Sequence, residues 1–310
     1  MDNKTNRCDY IDILRCFSIV VMIMGHVYFG NVFNKIIHSF HMPIWFVISG
    51  YFFNSDKDYK GLITRKVRNL LIPYLLFAVI YELIWSCMGN DQWLGIVFPT
   101  SIQIPINGAL WFLPALFFAE IVSFTLLKFL PKPAAIITII LVFAFGLVCK
   151  ADLPFSLSGA CVGVGFYLLG VLVRAKRMYL ENLSYPLTLI ILAIGLLFAY
   201  INGNANLRTN EYSNIVYFLI SSTFICIALL NLFRLMFINT DFHVLTEIGK
   251  DSLIYVCTNQ CIILLIDVIN PSSIICELLW KCVVVIVTVL IGFFMCRLIS
   301  RSKLRFLIGK

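Results

Sequence analysis

The chain has 310 residues, of which 61% are apolar and only 13% charged, with a mean hydropathy of +0.94. A soluble globular chain averages roughly 45 to 50% apolar and about 25% charged, so this composition excludes a soluble enzyme, a disordered chain and a disulfide scaffold and puts the chain in a bilayer. The net charge of +8 matches the basic cytoplasmic loops of a membrane protein, and no nucleic-acid partner is read from it.

At about 20 apolar residues per spanning helix, the length holds about ten crossings and no appended soluble domain is expected. The first apolar run follows Lys4 and Arg7 as a signal peptide would. However, Asp9, Asp12 and Arg15 interrupt it and no small-residue cleavage site follows promptly, so 11–30 is read as a permanent helix. Further runs bounded by charge, Pro or Gly lie at 36–53, 69–87, 108–130, 134–150, 156–174, 184–201, 214–238, 252–269 and 276–299. Lipid offers the backbone no hydrogen bonds, so each run is expected to be helical. The expectation is one all-α domain over 1–310, a single bundle of about ten transmembrane helices.

Charge orients that bundle. With the N-terminus inside, nineteen of the 24 Lys and Arg fall in alternate, cytoplasmic connections. Only Lys35, Lys150 and Arg208 fall in the outer ones, and Arg15 and Lys281 fall within spans. The positive-inside rule then predicts that both termini and the 54–68 loop are cytoplasmic, with 88–107 and 270–275 outside. The eleven cysteines contain no CxxC pair and lie mostly in apolar runs, so they read as small core residues. The four histidines, His26, His38, His41 and His243, do not supply a ligand set, and no metal is assigned.

Charged and polar side chains inside spans are costly, so each is a functional candidate unless a structural partner explains it. The densest set is Asp12, Arg15 and His26 on the first span, His38, His41 and Ser49 on the second, then Arg65 and Arg68. Asp12 and Arg15 share a helix face and read as a local ion pair or as part of a site. His26 lies 11 residues beyond Arg15, on nearly the same face and about 16 Å along the helix.

Arg15 and His26 form an R-x10-H arrangement. It is followed by Phe40-His41-Met42-Pro43 and Ser49-Gly50-Tyr51, by Arg65-Lys66-Val67-Arg68 with Leu71-Ile72-Pro73-Tyr74, and by Leu110-Trp111-Phe112-Leu113 with Leu116-Phe117. Weaker echoes are Phe166 to Gly170 and Ile248 to Tyr255. In this order, over most of the chain, these segments resemble the membrane-bound acyltransferase 3 family, and most of all its short fucose 4-O-acetylase-like group. The sequence departs from the family at Cys257, Thr258 and Asn259, where relatives often carry a histidine, and no role is carried to that position.

The resemblance implies transfer of an acyl group, usually acetyl from acetyl-CoA as co-substrate with no bound cofactor, to a hydroxyl of a surface polysaccharide or its lipid-linked precursor. It also implies a multi-pass protein of a bacterial inner or plasma membrane. Acyl transfer to an alcohol needs a base, donors for the developing oxyanion and positive charge for a phosphate-rich donor. His26 fits the base. Arg65 and Arg68, with Lys57, Lys60 and Lys66 nearby, suit donor phosphate, or else contact anionic lipid. Arg15 either reaches the donor or neutralises Asp12. Ser49 orients substrate or lets helices pack closely, and His41 binds sugar or caps a kinked helix. Trp111 stacks on sugar or donor, or sits in the interfacial belt. Of the intramembrane acids Glu82, Glu120 and Asp267, Glu120 is the favoured partner to orient His26. The rival reading is a secondary transporter or acyl-translocation module, for which related halves would be expected. Oligomeric state is not legible.

Overall fold

The computed structural model describes residues 9–176, 183–238, 240, 242–268 and 274–302. Lys4, Arg7, Arg177, Lys303, Arg305, Lys310 and most of the 270–275 connection, all used in the charge reading, lie outside the described residues. The helices are α1 (Asp9–Val27), α2 (Asn31–Phe40), α3 (Pro43–Tyr51), α4 (Tyr59–Lys66), α5 (Ile72–Cys87), α6 (Leu94–Val97), α7 (Phe112–Phe129), α8 (Lys132–Val148), α9 (Leu157–Ala175), α10 (Tyr185–Asn202), α11 (Ile215–Phe237), α12 (His243–Lys250), α13 (Ser252–Ile266) and α14 (Ile274–Ser300). Between α10 and α11 a short hairpin pairs β1 (Ala205–Asn206) antiparallel to β2 (Glu211–Tyr212).

The chain is an all-α membrane protein apart from that hairpin. Among the described residues, seven helical segments are long and apolar enough to cross a membrane, and α8 and α13 are shorter apolar helices. The span expected over 36–53 is broken. The His41 N–H closes α2 on the Ile37 carbonyl, and α3 starts afresh at Pro43, which has no N–H to continue the ladder but fits the first helical turn.

The 54–68 segment, expected as a solvated loop, is largely helix. The Asp58 carboxylate accepts the Gly61 N–H at 2.7 Å and starts α4. A π-turn over Val67–Leu71 then carries the chain into α5, the Ile72 N–H bonding five residues back to Val67. Such widened turns accommodate a nearby proline, here Pro73. Arg65 and Arg68 therefore lie on one continuous helical segment, 59–87.

Lipid supplies no hydrophobic drive between helices, so close packing at small residues holds them together. A Cβ on Gly50 would lie 1.9 Å from the Tyr167 carbonyl oxygen, and one on Gly170 would lie 2.0 Å from that of Val47. The Ser49-Gly50-Tyr51 and Phe166 to Gly170 segments are thus the two sides of one seam between α3 and α9. Gly249 does the same for α12, where a Cβ would meet the Asp12 carbonyl at 1.8 Å. This contact presses α12 onto α1, whose Ile11, Leu14, Ile19 and Ile23 are fully buried. Apolar side chains such as Leu141, Ile190 and Leu298 are exposed on α8, α10 and α14, a surface suited to lipid.

Candidate active site

Helix α1 runs between two cavities. The larger, about 560 Å³, surrounds its C-terminal end and is lined by His26, His38, His41, Trp111 and Gln260, by side-chain amides including Asn31, Asn34 and Gln103, and by Lys35, Arg208 and Glu211. The smaller, about 140 Å³, lies near its N-terminal end and is lined by Arg15, Ser49, Lys57, Lys66 and Glu120, with Phe52, Phe53 and Tyr167 among its aromatic walls.

At the larger cavity, α1 stops because Tyr28 adopts a left-handed conformation (φ 62°) just before Gly30 (φ 106°). Ile106 and Asn210 are also left-handed (φ 66° and 54°). Ile106 precedes the Gly108 wall, and Asn210 sits between Arg208 and Glu211. Such positions cost about 1–3 kcal/mol each and persist where surrounding contacts enforce them. Asn107 supplies one such set of contacts. Its Oδ1 accepts the Ala109 N–H, starting the tight helical turn Gly108–Trp111, while its Nδ2 donates to the carbonyls of Val256 and Cys257 at 3.0 and 2.6 Å. The Tyr81 hydroxyl donates to the same Cys257 carbonyl at 2.7 Å. The segment that begins Leu110-Trp111-Phe112-Leu113 is thereby tied to α13.

That tie brings Gln260 onto His26. The Gly108 N–H donates to Gln260 Oε1 at 2.7 Å, so the amide nitrogen must face the imidazole, where Nε2 lies 2.8 Å from His26 Nδ1. An amide nitrogen only donates. His26 Nδ1 is therefore the lone-pair nitrogen and Nε2 carries the proton in the neutral ring. The two other histidines of this cavity are held the opposite way, Nδ1–H of His38 on the Asn34 carbonyl and Nδ1–H of His41 on the Ile37 carbonyl, both at 2.8 Å. Their rings meet edge to face at 5.0 Å. No cluster of three or more His, Cys, Asp or Glu residues suited to a metal occurs among the described residues.

At the smaller cavity, Arg15 pairs with the buried Asp12 at 2.8 Å and places its guanidinium 5.3 Å from the centre of the Phe52 ring. Lys66 reaches the buried Glu120 at 2.5 Å. Lys57 donates to the Phe52 carbonyl at 3.4 Å and Arg174 to the Tyr51 carbonyl at 2.9 Å, satisfying the C-terminal end of α3. Burial, then the positive charges of Arg65 and Lys66, push the Lys57 ammonium below its ordinary pKa.

The sequence candidates thus divide between two sites. His26, His41 and Trp111 share the larger cavity, and Arg15 lines the smaller with Asp12 as its partner. Glu120, favoured above as the residue orienting His26, is instead Lys66's counter-ion at the other cavity. Neither Glu82, which accepts the Gln92 N–H at 3.2 Å, nor the exposed Asp267 takes its place. Ser49 lines the smaller cavity, away from His26. Arg65 and Arg68 are exposed and do not line that cavity, while Lys57 and Lys66 are the basic side chains that line it with Arg15. Gln260, with no sequence-based role, is the residue that touches His26.

A family model described as an acyltransferase domain matches residues 9–297. The chain belongs to this family, acyltransferase 3, and is a multi-pass membrane acyltransferase. No curated protein matches it.

Proposed function

We propose that the protein is an O-acyltransferase, most like the fucose 4-O-acetylase-like group. On this reading it moves an acyl group, acetyl first among the candidates, from cytoplasmic acyl-CoA at the Arg15 end of α1 to a hydroxyl at the His26 end. The acceptor is a surface polysaccharide or its lipid-linked precursor, and the membrane is a bacterial inner or plasma membrane. The observation that carries this reading is that one helix lines both cavities, a basic one near its start and a histidine-bearing one at its end.

Three basic side chains at the smaller cavity, with Arg65 exposed nearby, suit the phosphates of the donor, and on this reading its thioester arm extends along α1 toward His26. The larger cavity offers amides and the Trp111 ring, the side chains that hydrogen-bond hydroxyls and stack on sugar faces. The acceptor hydroxyl displaces the Gln260 amide from His26 Nδ1 and gives its proton to that lone pair as its oxygen attacks the thioester carbonyl. The C–S bond breaks, CoA leaves as thiolate, and the proton returns from His26 to the sulfur. The charge count supports the orientation, with both termini cytoplasmic.

The test is acceptor-dependent release of free CoA from labelled acetyl-CoA by the purified protein in lipid. Acetyl transport into vesicles without that release would favour the translocation reading, which two cavities on one helix also suit.

A further inference from the structure

We infer that the acceptor seated in the larger cavity carries an anionic group, a carboxylate or a phosphate, bound by Lys35 and Arg208. This rests on the acyltransferase reading above. A neutral sugar needs only the amides and aromatic rings already present, so the two cations require a separate reason. Only three Lys or Arg fall outside the basic connections and the spans, and two of these three line this one cavity.

They come from different elements, Lys35 from α2 and Arg208 from the turn between β1 and β2. Among the described residues, no carboxylate lies within 4 Å of either. The lining carboxylate, Glu211, accepts the Thr209 hydroxyl at 3.0 Å. Asp152 acts on Arg208 from the connection before α9, and is itself engaged by the Ser101 hydroxyl.

Arg208 is half-buried, and withdrawing a charge from water is costly unless a counter-charge meets it. The backbone of its turn is ordered by local contacts. The Arg208 N–H donates to Asn206 Oδ1 at 3.1 Å, and the next residue but one, Asn210, takes the left-handed conformation that closes the turn. A guanidinium carried on this turn offers a fork that matches the paired oxygens of a carboxylate or phosphate, with the Lys35 ammonium as a second point charge. Arg208 is within electrostatic reach of His26, so an anion bound there would sit close to the reacting hydroxyl. An acidic sugar and a phosphate joining sugar to lipid carrier present the same chemistry.

The test uses the full chain in proteoliposomes with labelled acetyl-CoA. The acceptor is the glycan and glycolipid extract of cells lacking the gene, supplied intact, carboxyl-reduced, or with phosphate esters hydrolysed. The wild type should modify the intact extract. Loss of transfer after carboxyl reduction identifies an acidic sugar, and loss after hydrolysis identifies the carrier phosphate. Arg208→Gln and Lys35→Gln should each raise KM for the intact acceptor about tenfold with kcat within about twofold, as expected for one charge-assisted contact, while Arg208→Lys recovers part of the loss. Unchanged acetyl-CoA affinity and melting temperature exclude misfolding. Equal transfer to all three extracts, or an unchanged KM in both Gln variants, overturns the inference. So does a fall in kcat alone, which would assign Arg208 to the developing oxyanion. Absence of transfer by the wild type to every extract overturns the acyltransferase reading and the inference together.

Discussion

Gln260 Nε2 lies 2.8 Å from His26 Nδ1, and the Gly108 N–H fixes the direction of the amide by holding its oxygen. This places the lone pair of His26 on Nδ1. The acceptor hydroxyl displaces this amide from the lone pair, so replacing Gln260 by Leu removes a competitor and should lower the KM for the acceptor, by up to about tenfold, the effect of one ordinary hydrogen bond, with kcat little changed. Acyl-CoA affinity should be unchanged, because the donor end of α1 is untouched. A Gln260→Leu protein with an unchanged acceptor KM would leave the amide a packing role only.

The Lys66 to Glu120 pair makes a stability prediction distinct from a binding one. Glu120 is buried and Lys66 is 28% exposed; removing one member of a fully buried pair costs about 3–5 kcal/mol and of this half-buried one less, whereas replacing both by groups of similar volume is often neutral. Lys66→Met should therefore lower the melting temperature clearly more than Arg65→Ala or Arg68→Ala, and adding Glu120→Gln should restore much of it. A Lys66→Met protein as stable as wild type would mean that solvent, rather than Lys66, compensates Glu120.

Arg65→Ala and Arg68→Ala test the donor end without that complication, because both side chains are exposed. Each should weaken acyl-CoA binding about tenfold, the effect of a charge-assisted contact, with normal membrane insertion. Unchanged affinity in both would assign these charges to lipid headgroups.

Lys57 adds a pH dependence. A lysine is charged below its pKa, and that of Lys57 is lowered by burial and by Arg65 and Lys66. Acyl-CoA affinity should accordingly decline as pH rises, beginning below the pH at which a free lysine loses its proton. The Lys57→Arg protein, which stays charged, should hold its affinity through that range. Identical profiles for the two proteins would place the phosphates away from Lys57.

Much of this arrangement is legible in the sequence, and what is not has physical causes. Arg15 and His26 are readable together because eleven residues of uninterrupted helix fix their separation, whatever the rest of the chain does. The close contacts behind Gly50, Gly170 and Gly249 explain why small residues stand in those segments, but periodicity does not reveal which helix each one meets. The break between α2 and α3 is marked by Pro43, yet an apolar run long enough to span hides it. The role of Glu120 is not legible because its partner Lys66 is distant in sequence, in a stretch that the sequence presents as a loop. Gln260 was visible only as the last of three consecutive polar residues, after Thr258 and Asn259, in an otherwise apolar helix. Its role depends on Asn107 tying a second segment to α13. The 205–212 hairpin, with two residues per strand, carries too little alternation to be read at all.

The most direct test of the account is single-turnover transfer by His26→Ala, measured beside acetyl-CoA binding to the same folded protein. The account predicts wild-type acetyl-CoA affinity, because Arg15, Lys57 and Lys66 are intact, with acceptor-dependent CoA release abolished and no labelled acetyl group on the wild-type protein before acceptor is added. Near-normal turnover in a folded His26→Ala protein would contradict it. The base would then have to be sought at His38 or His41, whose Nδ1 protons are held by backbone carbonyls and whose Nε2 lone pairs lie in the same cavity wall.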